Sequence, residues 1–111
     1  VEKATINEIV KTIKNKLNAV NITVFAKVEK VVKKVASFCG GGSSHAVKYD
    51  GNADLIITSD MPHHIILSMV EKGKAIILIT HYTAEMYGFK KFANYCSDFI
   101  ETVVFDDKRY Y

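Results

Sequence analysis

The first 38 residues carry the hydrophobic pattern of one helix followed by two strands. Residues 5–8 have the form Thr-x-x-Glu of a capping box, in which two side chains pair with free backbone N–H groups where a helix begins. Apolar residues then recur on one helix face, at Ile6, Ile9, Val10, Ile13 and Leu17. We expect this helix to end near Asn18. Residues 22–26 and 31–38 are rich in β-branched and aromatic side chains, which predicts two strands. The short connection between them favours an antiparallel pair.

After residue 38 the pattern changes to alternating strands and helices. Near-continuous apolar runs at residues 54–58 and 75–79 are typical of strands that are covered on both faces. Pro62 suits the first turn of the helix between them, and Gly73 suits its end. Apolar positions at helical spacing predict a longer helix after residue 80, with a core face of Met86, Phe89, Ala93, Cys96 and Ile100. Residues 102–105 are expected to form a last strand.

This order of elements predicts an α/β fold. Strands separated by helices are typical of parallel pairing, because a parallel connection needs a crossover. We therefore expect a mostly parallel mixed sheet of about five strands with helices on both faces. With 111 residues, no linker and no repeat, residues 1–111 are expected to form a single domain.

Composition and charge exclude several classes of protein for this chain. The chain is 49% hydrophobic and 24% charged with one proline, which excludes a disordered, collagen-like or coiled-coil protein. Its apolar runs are far shorter than the ~20 residues of a membrane span, and no signal region is evident. We expect a cytoplasmic protein that does not bind membranes. Cys39 and Cys96 are accordingly expected to be buried thiols rather than a disulfide.

Lysines are concentrated in the first third of the chain. Eight of them lie within the first 34 residues, and the net charge is +3. They alternate with apolar residues. A nucleic-acid surface would instead interleave basic with aromatic residues, and the lysines do not show that pattern. We interpret them as the solvated faces of a helix and a strand, and nucleic-acid binding is the weakest functional hypothesis.

The four histidines all lie in loops that follow predicted strands. They are His45, His63, His64 and His81. Because the carboxyl ends of parallel strands share one edge of a sheet, ligands bind along that edge in open α/β folds. The loops at residues 40–45, 59–64 and 80–85 are therefore expected to open together.

Each loop carries its own candidate chemistry. The glycine-rich loop could cradle a phosphate or form a plain tight turn; its residues are Gly40, Gly41, Gly42, Ser43 and Ser44. Asp60 could fix a histidine tautomer beside a metal ion, or cap the helix that follows it. His81 and Glu85 stand four residues apart, and imidazole with carboxylate suits zinc, iron or manganese. Two such ligands are too few for a closed metal site.

Four segments in this order resemble the C-terminal half of the NGG-interacting-factor-three-like family. They are VASFCGGGSS at residues 35–44, ADLIITSD at 53–60, the pair His63-His64, and THYTAE at 80–85. The resemblance implies that His81 and Glu85 are ligands of a centre of two divalent metal ions. It further implies that Asp60, His63 and His64 line the same pocket, with Asp60 or His64 orienting water or moving a proton. The glycine-rich loop would form another wall.

The resemblance also implies a function and a missing portion. Family members resemble metal-dependent hydrolases, many named as a GTP cyclohydrolase type, which implies a nucleotide-like substrate. The alternative is a non-catalytic metal-binding scaffold that binds a transcriptional adaptor. The family's His-His-Pro and His-x-x-x-Asp motifs do not occur here, and Ser59 and Thr80 stand where the family usually has glycine. We therefore expect a C-terminal portion that retains metal weakly, whose missing N-terminal half supplies the other ligands and whose intact form is a homohexamer.

Overall fold

The computed structural model describes residues 3–38 and 51–111 of the chain. The strands, in chain order, are β1 (Ala4–Thr5), β2 (Thr23–Phe25), β3 (Val31–Val32), β4 (Val35–Ser37), β5 (Leu55–Thr58) and β6 (Ala75–Leu78). The main sheet has the spatial order β2-β6-β5-β4, and a two-stranded sheet joins β1 to β3. Strands β4, β5 and β6 are parallel, whereas β2 runs antiparallel to β6. The predicted mixed, mostly parallel sheet is confirmed, with four strands in its main part.

The predicted antiparallel pairing of residues 22–26 with 31–38 is wrong. Strand β2 pairs with β6 at one edge of the main sheet, and β4 pairs with β5 at the other edge. The second segment is also divided in two, because β3 pairs with β1 instead. The division lies at Lys33 and Lys34, whose backbone N–H groups donate to the Asp54 carboxylate over 2.8 and 3.2 Å. A contact over twenty residues thus overrides the local preference for a hairpin.

Within the described residues, three α-helices connect the strands: α1 (Ile6–Leu17), α2 (His63–Glu71) and α3 (His81–Cys96). The predicted capping box is present, since Thr5 Oγ1 accepts from Glu8 N and Glu8 Oε1 accepts from Thr5 N. Pro62 precedes α2, and Gly73 follows it at φ +85°, a conformation that favours glycine. Local chemistry therefore sets these helix boundaries as expected.

The two faces of the main sheet are covered by different helices. Alternate side chains of β5 and β6 point to opposite faces, as strand geometry requires. On one face, Leu55 and Ile77 pack with Ile6 and Ile13 of α1. The other face carries a second cluster of buried side chains, formed by Ile56 and Ile76 of the strands with Ile66 and Met69 of α2. The predicted placement of helices on both faces is confirmed.

The C-terminal part of the chain departs from the predicted pattern. Residues 102–105 form no strand, and Val103 and Phe105 are highly exposed. A β-branched segment becomes a strand only where a neighbouring strand pairs with it, and the described residues place no strand beside this segment. Helix α3 ends at Cys96, before Ile100. Cys96 is a half-buried free thiol, whereas Cys39 lies outside the described residues. Among the described helices, none has the length and apolar character to cross a membrane.

Candidate functional site

The candidate site lies where two neighbouring parallel strands end. Strands β5 and β6 are in register from Leu55 opposite Ala75 to Thr58 opposite Leu78, so both end at the same level. Asp60 follows β5 by two residues, and His81 follows β6 by three. The side chains meet, because His81 Nδ1 and Asp60 Oδ2 form a hydrogen bond. Ser59 Oγ also donates to Asp60 Oδ2, over 3.1 Å.

Thr80 sets the direction of His81 by capping helix α3. Its hydroxyl accepts a hydrogen bond from Thr83 N at 3.0 Å and donates to the carbonyl oxygen of Tyr110 at 2.6 Å. Thr80 has φ −70° and ψ 153°, an extended conformation that any residue adopts. Ser59 likewise has a negative φ, since Asn18 is the one non-glycine with a positive value among the described residues. Side chains at both positions are therefore compatible with these turns.

His81 bridges two carboxylates. Its Nε2 lies 2.8 Å from Glu85 Oε1, one helical turn further along α3, while its Nδ1 contacts Asp60. About half of each of these three side chains is exposed to solvent. The hydrogen bond to Asp60, the charge of Asp60 and then the charge of Glu85 raise the pKa of the His81 imidazole above its ordinary value. The two carboxylates thus favour a positive charge at this position.

The arrangement fits part of a metal site. When Asp60 accepts the Nδ1 proton, it fixes the imidazole tautomer whose Nε2 can bind an ion, and Glu85 stands beside that nitrogen. A nitrogen and a carboxylate suit zinc, iron or manganese. Within residues 3–38 and 51–111, however, no group of three or more His, Cys, Asp or Glu side chains is placed to hold an ion. Among these residues, the His81–Glu85 pair could supply two of the ligands that an ion needs.

A cavity of about 780 Å³ opens directly beside this pair. His81 and Glu85 form part of its wall, and Met86 and Phe89 continue the wall along α3. Arg109 and Tyr110 close the opposite part, with the guanidinium carbon 5.5 Å from the centre of the Tyr110 ring. The volume is in the range of ligand sites, which run from roughly 300 to 1,000 Å³.

A hydrogen-bond network around Asp106 holds the C-terminal segment against α3. The Asp106 carboxylate accepts from the Tyr82 and Tyr111 hydroxyls at 3.1 and 2.8 Å, and from Lys90 Nζ at 2.5 Å. These donors, Lys90 first, hold the pKa of Asp106 far below its ordinary value. The rings of Tyr82 and Tyr111 meet edge to face at 5.4 Å. This network positions the segment that carries Arg109 and Tyr110 into the cavity wall.

The structure brings together only some of the residues predicted for the site. Asp60, His81 and Glu85 form one hydrogen-bonded group. His63 and His64 are exposed on the first turn of α2, and neither imidazole has a hydrogen bond to a described residue. The predicted glycine-rich loop, residues 40–44, lies outside the described residues.

Sequence reasoning misses most of the cavity wall. The predicted core position of Phe89 is wrong, because this side chain is 60% exposed and lines the cavity. Phe89 lies one helical turn after Glu85, and this spacing indicates that it shares the face of α3 that carries His81 and Glu85. Arg109 and Tyr110 carry no such signal, because the contacts that position them span about thirty residues.

Comparison with known proteins identifies relatives along almost the whole chain. The sequence model of Duf34/NIF3 (NGG1p interacting factor 3) matches residues 1–108. A GTP cyclohydrolase 1 type 2 homolog of Clostridium perfringens is 33% identical over 87 residues, which are 76% of this chain and 32% of that protein. NGG1-interacting factor 3 of Saccharomyces cerevisiae is 37% identical over 54 residues, 49% of this chain and 19% of that protein.

The fold is shared with solved structures. The crystal structure of TTHA1606 from Thermus thermophilus superposes with a TM-score of 0.74 at 22% identity, over 95% of this chain and 42% of that one. At this identity the likeness shows the fold alone. The chain spans at most about a third of the length of the two relatives described above.

Proposed function

This chain belongs to the Duf34/NIF3 family, and we propose that its His81–Glu85 pair supplies ligands to a centre of two divalent metal ions. The observation that carries the proposal is the position of the His81 imidazole between Asp60 and Glu85 at the ends of β5 and β6. We further propose that the centre belongs to a metal-dependent hydrolase of GTP cyclohydrolase type, which uses zinc, iron or manganese.

Each residue of the group has a distinct role in this proposal. His81 Nε2 and the Glu85 carboxylate bind an ion, and Asp60 holds the imidazole by accepting its Nδ1 proton. Bound divalent ions would lower the pKa of a water molecule and polarise the substrate. His64, exposed and free of hydrogen bonds to the described residues, is available to move a proton to or from the substrate.

The remaining ligands are proposed to come from polypeptide that this chain does not contain. A closed zinc site takes four ligands, and the described residues provide two. The Clostridium perfringens relative is about three times as long as the part that this chain spans. We assign the missing donors to that additional polypeptide and expect this chain alone to bind metal weakly.

The cavity beside the pair supports a nucleotide-like substrate. Exposed rings of Phe89 and Tyr110 offer faces on which a nucleobase can stack. The Arg109 guanidinium in the same wall is paired with the Asp107 carboxylate at 2.6 Å. The Clostridium perfringens relative carries the name of a GTP cyclohydrolase homolog, so GTP is the first substrate to test.

Metal binding is tested on the 111-residue chain by calorimetric titration with Zn²⁺ and by the visible spectrum of bound Co²⁺. We expect weak binding that His81→Ala abolishes and that Asp60→Asn weakens by about 10- to 100-fold. Glu101→Gln is the matched control, because it removes an exposed carboxylate far along the chain from the pair. Equal affinity in the wild type and His81→Ala would contradict the proposal.

Turnover is tested by incubating the intact protein with GTP and zinc, manganese or iron, and analysing the nucleotide products. His81→Ala should abolish a metal-dependent reaction, whereas Glu101→Gln should retain it. If both variants process GTP at the same rate, the reaction does not use this site.

The second candidate is a metal-binding interaction protein without turnover. It is favoured by the large apolar side chains that α3 exposes, among them Phe92 and Tyr95. The yeast relative is named as an interacting factor. Metal binding that depends on His81, together with no reaction on any nucleotide tested, would favour this candidate over the hydrolase.

A further inference from the structure

Residues 106–111 lie against the first turns of helix α3, and we call this segment the strap. The Tyr111 carbonyl oxygen accepts from the backbone N–H groups of Val20 and Asn21, at 3.2 and 3.0 Å. The same oxygen accepts from Thr83 Oγ1 of α3 at 3.3 Å, and the Tyr111 side chain is buried. One end of the strap is therefore bound both to α3 and to the connection between α1 and β2.

The other end of the strap is held by side chains of α3. The Tyr82 hydroxyl donates to Asp106 Oδ1 at 3.1 Å and accepts from Asp107 N at 2.6 Å. Lys90 Nζ forms an ion pair with the same Asp106 carboxylate at 2.5 Å. The Tyr82 hydroxyl thus makes two of the bonds that keep this end of the strap on α3.

Met86 lies beneath the strap. Tyr82, Met86 and Lys90 follow one another at intervals of four residues along α3, so they share one face of the helix. Because Tyr82 and Lys90 both bind Asp106, the strap crosses the helix at the level of Met86. Met86 is 8% exposed and lines the cavity together with Tyr110 of the strap. The strap therefore closes the cavity on the side of Met86.

Residues 101–105 connect α3 to the strap without fixing its position. Among the described residues, no backbone hydrogen bond joins this segment to the rest of the chain. Val103 and Phe105 are 85% and 86% exposed. A segment with so few contacts changes conformation at low cost in free energy, so the strap can detach while the sheet and the helices stay folded.

We propose that Tyr82 and Asp106 are positioning residues that hold the strap closed, and that the strap opens as a unit about residues 101–105 to admit a ligand to the cavity. Opening moves Tyr110 out of the cavity wall and uncovers Met86. That the ligand is nucleotide-like rests on the proposed function, whereas the opening of the strap does not.

Oxidation of Met86 by hydrogen peroxide, followed by mass spectrometry of the 111-residue chain, measures the opening without any ligand. Tyr82→Phe keeps the ring and removes two hydrogen bonds, each of which contributes about a factor of five. Met86 should therefore oxidise about tenfold faster or more in this variant, and faster than in the wild type in Asp106→Asn as well. The matched control is Tyr87→Phe, which removes the hydroxyl of an exposed tyrosine on the same helix and should leave the rate unchanged.

Met69 separates opening of the strap from unfolding of the whole chain. It is fully buried in the cluster between α2 and the sheet, so its oxidation should stay equally slow in every variant. Equal oxidation of Met86 in Tyr82→Phe and Tyr87→Phe would overturn the proposal. Acceleration of Met69 by the same factor as Met86 would overturn it too, because the strap would then not open by itself.

The association rate of GTP, measured with Zn²⁺ present, tests whether the strap controls access to the cavity. Tyr82→Phe should bind GTP faster than the wild type, and equal rates would overturn the control of access. Absence of GTP binding in every variant, with Met86 oxidation accelerated as expected, would contradict the nucleotide assignment of the proposed function and would support the opening of the strap.

Discussion

Replacing Thr80 by alanine tests how the start of helix α3 positions His81. The Thr80 hydroxyl accepts from Thr83 N at 3.0 Å and donates to the Tyr110 carbonyl at 2.6 Å, and it also lies 2.7 Å from Thr83 Oγ1. The first caps the helix, and the second ties the C-terminal segment to it. Alanine removes all three contacts and leaves the backbone conformation accessible, because φ −70° and ψ 153° suit any residue.

The expected loss is worked from the helix cap and the bond to Tyr110, because the Thr83 hydroxyl keeps the Tyr111 carbonyl as a partner. Loss of an N-cap hydroxyl costs about 1 kcal/mol of unfolding free energy. The Tyr110 carbonyl loses a hydrogen bond whose net contribution is also about 1 kcal/mol. Thr80→Ala should therefore destabilise the chain by about 2 kcal/mol. Thr80→Ser keeps the hydroxyl, so we expect it to change the stability by less than about 0.5 kcal/mol.

Urea unfolding followed by circular dichroism measures both variants. Imidazole NMR spectra of the folded alanine variant should also show a shifted His81 resonance, since the first turn of α3 carries that ring. A loss below about 0.5 kcal/mol in Thr80→Ala, or equal losses in the alanine and serine variants, would refute the reasoning.

The central strand, the Asp106 carboxylate and the His81 imidazole give three further predictions. Ile77 is fully buried between α1 and two neighbouring strands, so Ile77→Ala should lower the free energy of unfolding by about 4 kcal/mol in urea unfolding. A loss below about 2 kcal/mol would contradict the role of Ile77 in the core. The pKa of Asp106 is lowered on folding, so its stabilisation is present above about pH 4 and is lost as the pH falls; Asp106→Asn should flatten that acid limb. The pKa of His81, raised chiefly by Asp60, should fall further in Asp60→Asn than in Glu85→Gln, and NMR titration showing the reverse order would contradict the geometry.

Local chemistry predicts the helix boundaries, and the strand pattern predicts where the site residues meet. The capping box at Thr5 and the glycine after α2 act over a few residues, so the sequence carries them directly. The contact of Asp60 with His81 joins residues 21 apart, yet it follows from the rule that parallel strands end at a common edge. To predict that Asp60 and His81 lie close together, it is enough to know that the strands before them are parallel neighbours.

The predictions that are wrong depend on contacts that no short pattern contains. Thr83 is polar but fully buried, because its hydroxyl lies against Thr80 Oγ1 and the Tyr111 carbonyl. A buried polar residue shifts the true core face of α3 away from the face that apolar positions suggest. Phe89 therefore lines the cavity although its spacing predicts the core. The strand pairing also depends on a distant contact, because the Asp54 carboxylate accepts from Lys34 N, twenty residues away, at the point where β3 and β4 are divided.

Charge explains why Asp60, His81 and Glu85 act as a unit. Asp60 and Glu85 place two carboxylates beside one imidazole, and the hydrogen bond to Asp60 together with the charges of both carboxylates raises the pKa of His81. His81 Nδ1 contacts Asp60, and Nε2 faces Glu85, where an ion would bind. A divalent ion bound at Nε2 would take the place of a proton on that nitrogen. The contact with Asp60 fixes the imidazole ring, which is the role expected of a residue that orients a metal ligand, and further donors would have to complete the site.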